Sequence, residues 1–172
     1  CLHSSPSIRG TSRHQAPGSR HQAPDPLTWA PGFPNLVQMR NHRELVAWSK
    51  AKDLAVSVYE LTRAFPRDER FGLTSQARRA AVSIVSNVVE GAARRSDREF
   101  ARFLDVALGS ASELEAQLDV AMALGYSTEA TSDAAIAQVV EVRKILSGLL
   151  SAVLKRLAQT ERRTNTLQPE TG

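Results

Sequence analysis

Between Glu44 and Leu157 the apolar residues recur at helical spacing in four separate stretches, with no run that alternates as a strand would. That pattern restricts the chain to an all-α fold. In the first stretch, about residues 44–65, Trp48, Ala55 and Thr62 are seven apart, as are Ala51, Val58 and Phe65, and Ala47, Leu54 and Leu61 widen the seam. Asn41 with Glu44 resembles a capping box ahead of it, and Pro66 stops it. The second stretch, about 74–92, carries Ala77, Ala80, Ile84, Val88 and Gly91 on one stripe, small residues that predict close helix approach. Valines at 85, 88 and 89 are modest helix formers, so packing must support this end.

The third stretch opens on Ser96 and Glu99, again a capping-box spacing. Leu104, Ala111 and Leu118 alternate with Phe100, Ala107, Leu114 and Ala121, and Gly125 stands where a helix C-terminus favours glycine. A helix over 97–124 would run roughly 40 Å. The fourth, about 132–157, sets Ile136, Arg143, Leu150 and Leu157 in one row and Val139, Leu146 and Val153 in another, flanked by Val142 and Leu149. Arg143 is a base in a row expected to face the core. Four amphipathic helices with short connections predict an antiparallel up-down-up-down four-helix bundle over residues 39–160, followed by a polar tail at 161–172.

Residues 1–38 read differently. Ser12–Pro17 recurs as Ser19–Pro24, and prolines at 6, 17, 24, 26, 31 and 34 forbid a continuous helix or central strand. The expectation is a disordered Pro/Arg-rich extension, with three readings open: a basic arm that touches nucleic acid, a solvated tail, or an upstream reading-frame extension with the native start at Met39. The last is favoured, because the sequence turns abruptly regular there.

Histidines stand only at 3, 14, 21 and 42, and the single cysteine is Cys1. From Glu44 onward the chain therefore lacks the ligands of Cys/His zinc sites and of Glu-x-x-His di-iron sites. It also lacks the base of Ser-His-Asp and Cys-His catalysis. Neither G-x-x-x-x-G-K-[ST] nor G-x-G-x-x-G occurs. The expectation is a protein with no catalytic residues, no metal and no cofactor; carboxylate chemistry would rest on Glu90, Glu113 or Glu115 without a supporting group. One terminal cysteine, no apolar run of bilayer length and no apolar signal region point to a cytoplasmic protein without a membrane partner.

Ser83, Asn87 and Glu90 lie at i, i+4 and i+7, one polar line beside the small apolar side of the second helix. With catalysis set aside, they read as a buried or interfacial network that fixes helix register, in which Arg79 or Arg143 would pair with Glu90.

The net charge of +4 sits in the first residues, since 44–172 hold 17 basic and 17 acidic groups. Within that neutral body the charges separate. Bundle topology gathers Arg94, Arg95, Arg98, Arg102, Lys155 and Arg156 at one end, joined by Arg40, Arg43, Arg162 and Arg163, whereas residues 105–141 hold seven acids and no Lys or Arg. A basic end can hold a phosphate backbone through counterion release. It can equally be satisfied by local acids such as Asp97 and Glu99, or by a neighbouring subunit. Arg63, Arg67 and Arg70 lie at the other end, offset by Asp68 and Glu69. Gly109 and Gly148 fall at outward positions, where small residues would admit a close subunit neighbour or are merely tolerated.

The run from Phe65 through Pro66-Arg67-Asp68-Glu69-Arg70-Phe71-Gly72-Leu73-Thr74-Ser75 to Gln76, then Arg79 to Ile84, Asn87, Glu90-Gly91, Arg94, Gly109-Ser110 and Glu113-Leu114-Glu115, resembles one bacterial family. It is that of four-helix-bundle proteins encoded in intervening sequences of 23S rRNA genes, to which the accessory variability determinant of diversity-generating retroelements is related. The resemblance spans about residues 39–157. It implies a homo-oligomer, typically a pentamer, with no enzymatic activity; in the retroelement relative it implies partnership with nucleic acid and a reverse transcriptase. Val85 stands where the family often has proline, which would straighten the second helix, and Val88-Val89 replace Ile-Ala. The reading that results is a non-enzymatic homo-oligomeric bundle whose basic end contacts RNA or DNA. Its rival is a protein-binding adaptor that touches no nucleic acid.

Overall fold

The computed structural model describes residues 41–166, with side chains through Thr164. The Pro/Arg-rich extension at 1–38, the proposed start at Met39, Arg40 and residues 167–172 lie outside the described residues. Four α-helices and no strand are present among the described residues: α1 (Val46–Leu61), α2 (Leu73–Ala92), α3 (Asp97–Ala123) and α4 (Glu129–Thr166). Short 3-10 turns precede α1 (His42–Glu44) and α2 (Arg67–Arg70). No described helix is long and apolar enough to cross a membrane.

The ends form for local reasons. Asn41 accepts from the Arg43 amide at 3.1 Å and donates to Glu44 at 2.9 Å, so the expected cap forms on the 3-10 turn instead of on α1. Ser96 caps α3 by accepting from the Glu99 amide at 3.2 Å and returns its hydroxyl to the Glu99 carboxylate at 3.0 Å. At the other end of α3, Gly125 takes a φ of +73° while its amide and that of Tyr126 reach the Met122 and Ala121 carbonyls, both at 2.9 Å. That pairing is the glycine-ended helix stop. Helix α4 runs beyond the expected limit: residues 161–166, assigned from sequence to a polar tail, continue the helix. Helix-favouring Ala158, Gln159 and Glu161 carry it, and Arg98 of α3 holds Glu161 at 3.0 Å.

The core follows the stripes. Ala77, Ala80, Ile84 and Val88 of α2 and Phe100, Leu104, Ala107, Ala111, Leu114 and Leu118 of α3 are buried as the periodicity expects. In α1 and α4 the stripe is centred one row over. Ala47, Ala51, Leu54 and Val58 line the core in α1, and Val139, Val142, Leu146 and Val153 in α4. Trp48, Ala55, Ile136 and Leu150 lie half-buried at the flanks.

Two pairs of contacts orient α2 and α3. Gly91 sits against Phe100 and Phe103, and eight residues earlier Ser83 meets Ser110, so the two helices run antiparallel. Asp97 with Arg156 and Glu115 with Arg143 orient α3 and α4 the same way. Arg78 Nε donates to Thr62 Oγ1 at 2.8 Å, which sets the start of α2 beside the end of α1.

A latch joins the two turns at that end. The Glu69 carboxylate accepts the Leu73 amide at 2.7 Å and the Tyr126 hydroxyl at 3.2 Å, while the Tyr126 ring packs on buried Phe65 at 5.9 Å. A β-carbon at position 72 would fall 2.3 Å from Glu69 Oε2, so glycine is what lets this carboxylate cap α2. Burial of the ring, then the bond to Glu69 and its charge, hold the Tyr126 hydroxyl above the ordinary tyrosine pKa. A raised native pKa means that the contribution is whole below about pH 10, the unfolded tyrosine value, and is lost as pH rises through the native one. Thermal melts from neutral to alkaline pH should therefore show a decline above pH 10 that is smaller in Tyr126→Phe.

The glycines separate by environment. A methyl at Gly91 would meet Phe103 Cβ at 2.8 Å and Phe100 Cδ2 at 2.9 Å, whereas one at Gly148 meets nothing within 4 Å. Urea denaturation should show Gly91→Ala destabilised by about 1–3 kcal/mol through overpacking. Gly148→Ala should be stabilised by roughly 0.5–1 kcal/mol through helix propensity.

Candidate nucleic-acid interface

The polar line on α2 is real but shorter than expected. Ser83 and Ser110 exchange a hydroxyl hydrogen bond at 2.8 Å across the α2–α3 seam, and Asn87 Nδ2 donates to the Ser83 carbonyl at 2.8 Å and hydroxyl at 3.1 Å. Glu90 leaves the line. Its carboxylate is exposed and binds Arg94 on the next turn, so neither Arg79 nor Arg143 is its partner. Arg79 lies eleven residues earlier on the same helix, roughly 16 Å away at 1.5 Å per residue. Arg143 binds Glu115 of α3 instead. The one-row shift of the α4 core explains this: Val142 and Leu146 take the interior, and Arg143 moves to the half-buried flank facing α3.

The basic end assembles around the α2–α3 turn and the last third of α4. Three of its six expected cations are compensated within the chain. Arg94 binds Glu90 and lies over the Phe103 ring at 4.7 Å, with a buried Nε that finds no partner. Arg98 binds Glu161 at 3.0 Å, and Arg156 holds both oxygens of Asp97. Arg95, Arg102 and Lys155 are exposed and make no ion pair among the described residues. The Arg98–Glu161 and Arg156–Asp97 bridges set the first turns of α3 against the late turns of α4, so these three open cations share one end.

A second cationic surface lies at the opposite end. The sequence sets Arg63, Arg67 and Arg70 against Asp68 and Glu69, but Glu69 is committed to the Leu73 amide and Tyr126 and binds none of them. Arg70 lies over the ring of Phe71 at 4.6 Å, and Arg78 over that of Tyr59 at 4.8 Å. The signal available in sequence was Gly72 three residues after Glu69: a residue without Cβ lets the carboxylate fold back onto the helix start. Among the described residues no group of His, Cys, Asp or Glu is gathered as a metal site would be.

A protein-family model described as the 23S rRNA-intervening sequence protein matches residues 43–148. A crystal structure of a protein of unknown function from the S23 ribosomal protein family of Bacteroides thetaiotaomicron VPI-5482 is similar with a TM-score of 0.58 and 24% identity, over 61% of this chain and 98% of that one. At that identity the likeness is one of fold. No curated protein matches the chain. With α1, α2, α3 and the first half of α4 inside the matched span, the chain belongs to the 23S rRNA-intervening sequence protein family.

Proposed function

We propose that the protein is a non-enzymatic, cytoplasmic, homo-oligomeric bundle in up-down-up-down order, whose end around the α2–α3 turn contacts base-paired RNA or DNA. The observation that carries this reading is the charge left over there. Arg95, Arg102 and Lys155 stay exposed and uncompensated after Glu90, Asp97 and Glu161 have taken Arg94, Arg156 and Arg98. Cations held open beside fixed neighbours suit a phosphate backbone, which they bind without sequence preference. The family's name ties it to 23S rRNA intervening sequences, which makes an rRNA partner the first to try. Gly109, with open space where a Cβ would stand, leaves room for a neighbouring copy to approach α3. A ring, pentameric by the family resemblance, would repeat the cationic patch, and a reverse transcriptase is the protein partner that resemblance suggests.

One observation favours the rival adaptor reading. An apolar groove of about 430 Å³ runs between α1 and α2, lined by Val56, Tyr59, Val82 and Val85, of which all but Val85 are exposed. A partner protein seated there would need no nucleic acid.

The two readings part in one titration. Binding to a base-paired 23S rRNA fragment, followed by anisotropy, should weaken linearly in log–log terms with salt. Reversing Arg95, Arg102 and Lys155 to Glu should abolish it while light-scattering mass stays unchanged. Absence of binding by the unaltered protein at low salt would leave the adaptor.

A further inference from the structure

At the end opposite that patch, two clefts adjoin along α2. One, of about 470 Å³, runs between α1 and α2 and is lined by Arg70, Arg78 and Arg79, by Thr74, Ser75, Ser83 and Ser86, and by Tyr59, with no carboxylate. The other, of about 590 Å³, shares Arg70, Thr74 and Arg78 with it and continues past Phe71 to Arg63 and Arg67, with Asp68 as its one carboxylate. None of these five arginines makes an ion pair among the described residues. At the basic end, by contrast, half of the six expected cations are paired. The nearest acids do not change this. Glu69 is spent as a helix cap and latch, and Asp68 makes no ion pair with a described cation.

The aromatic residues are the second observation. Phe71 is 81% exposed, beside Arg70, at a turn where nothing in the core requires a phenyl ring. Tyr59 is exposed at the cleft's other wall with Arg78 on its face. Arg78 is held in place by Thr62 Oγ1 at 2.8 Å, so one guanidinium of the set is preorganised. A largely exposed phenyl ring with arginine on one face, among arginines without ion pairs, is what unpaired nucleotides need: stacking for the base, charge and donors for the phosphate. A duplex offers no base face to Phe71.

We propose that these two adjoining clefts together bind single-stranded nucleic acid, with a base stacked on Phe71 in the second and phosphates held by Arg70, Arg78 and Arg79 along the first. The site is separate from the α2–α3 end and does not depend on its role. From Phe71 to Ser86 the surface follows sixteen residues of α2 and the turn before it, roughly 22 Å at helical rise. That length takes several nucleotides of an extended strand in preference to one free nucleotide.

The test uses the full chain and labelled oligo(U), with a hairpin duplex, uridine monophosphate and inorganic phosphate as the other probes. Phe71→Ala should weaken oligo(U) binding by roughly ten- to a hundredfold and leave the hairpin unaffected. Arg70→Gln with Arg79→Gln should lower the salt slope for oligo(U) by about 0.7 per residue. Because Phe71, Arg70 and Arg79 are exposed, unchanged circular dichroism is expected of each variant. Charge reversal at Arg95, Arg102 and Lys155 should spare oligo(U). The proposal fails if Phe71→Ala binds oligo(U) as the parent does, or if the salt slope is unmoved. It fails equally if the far-end variant alone loses oligo(U), or if the monophosphate or phosphate binds as tightly as the strand.

Discussion

A β-carbon at position 91 would lie 2.8 Å from Cβ of Phe103, so α2 can rest on α3 as it does only because that residue is glycine. The rest of the seam is built to the same gauge. Ala77, Ala80, Ala81 and Ala92 of α2 and Ala101, Ala107 and Ala111 of α3 are all buried. Small side chains let backbones approach but give each helix little apolar area of its own. The larger residues, Ile84, Phe100, Leu104, Leu114 and Leu146, then fill the space the four helices leave between them. Into this apolar seam the chain inserts one polar contact, Ser83 to Ser110, with Asn87 closing on Ser83. Its net worth is about 1 kcal/mol, yet leaving either hydroxyl unpaired would cost about as much or more. The pair thus penalises a helix slid by one turn more than it rewards the helix in place.

Charge follows a different rule from packing. Lys50–Glu141, Arg143–Glu115 and Arg156–Asp97 bridge helices at partly exposed positions, where such pairs add little stability. Their larger effect is to decide which cations remain. At the α2–α3 end, pairing removes Arg94, Arg98 and Arg156 from the electrostatic field and leaves Arg95, Arg102 and Lys155. At the other end, the acids beside the arginines are either diverted into structure, as Glu69 is, or left without an ion pair, as Asp68 is. Two ends with similar arginine counts in sequence therefore differ in how much charge they present.

Much of the fold was legible because α3 is regular: Phe100 to Ala121 repeats at steps of three and four, and every one of those positions is buried. Helix caps at Ser96 and Gly125 were legible for the same local reason. Helix α4 was less so. Its apolar residues fill adjoining rows, and periodicity could not say which is the centre; setting Ile136–Arg143–Leu150 in the core beside Val139–Leu146–Val153 put a base there and offered Glu90 the wrong partner. Structure resolves it with Val139, Val142 and Leu146 inside and Arg143 on the flank beside Glu115. Side-chain pairing across helices depends on rotation about the axis by less than one residue, finer than a heptad pattern specifies.

The arginines of the α1–α2 turn show the limit most sharply. Counting charges along the chain set Asp68 and Glu69 against Arg63, Arg67 and Arg70, and the sum was small. Counting in space gives another result, because the fate of Glu69 is decided by a residue that has no charge. Gly72 lacks the Cβ that would collide with the carboxylate, so Glu69 turns back to the Leu73 amide and picks up Tyr126 from the α3–α4 turn. The acid that would neutralise the turn instead ties two turns together, and its arginines are left facing solvent. One glycine thereby links the latch that holds this end closed to the charge this end displays.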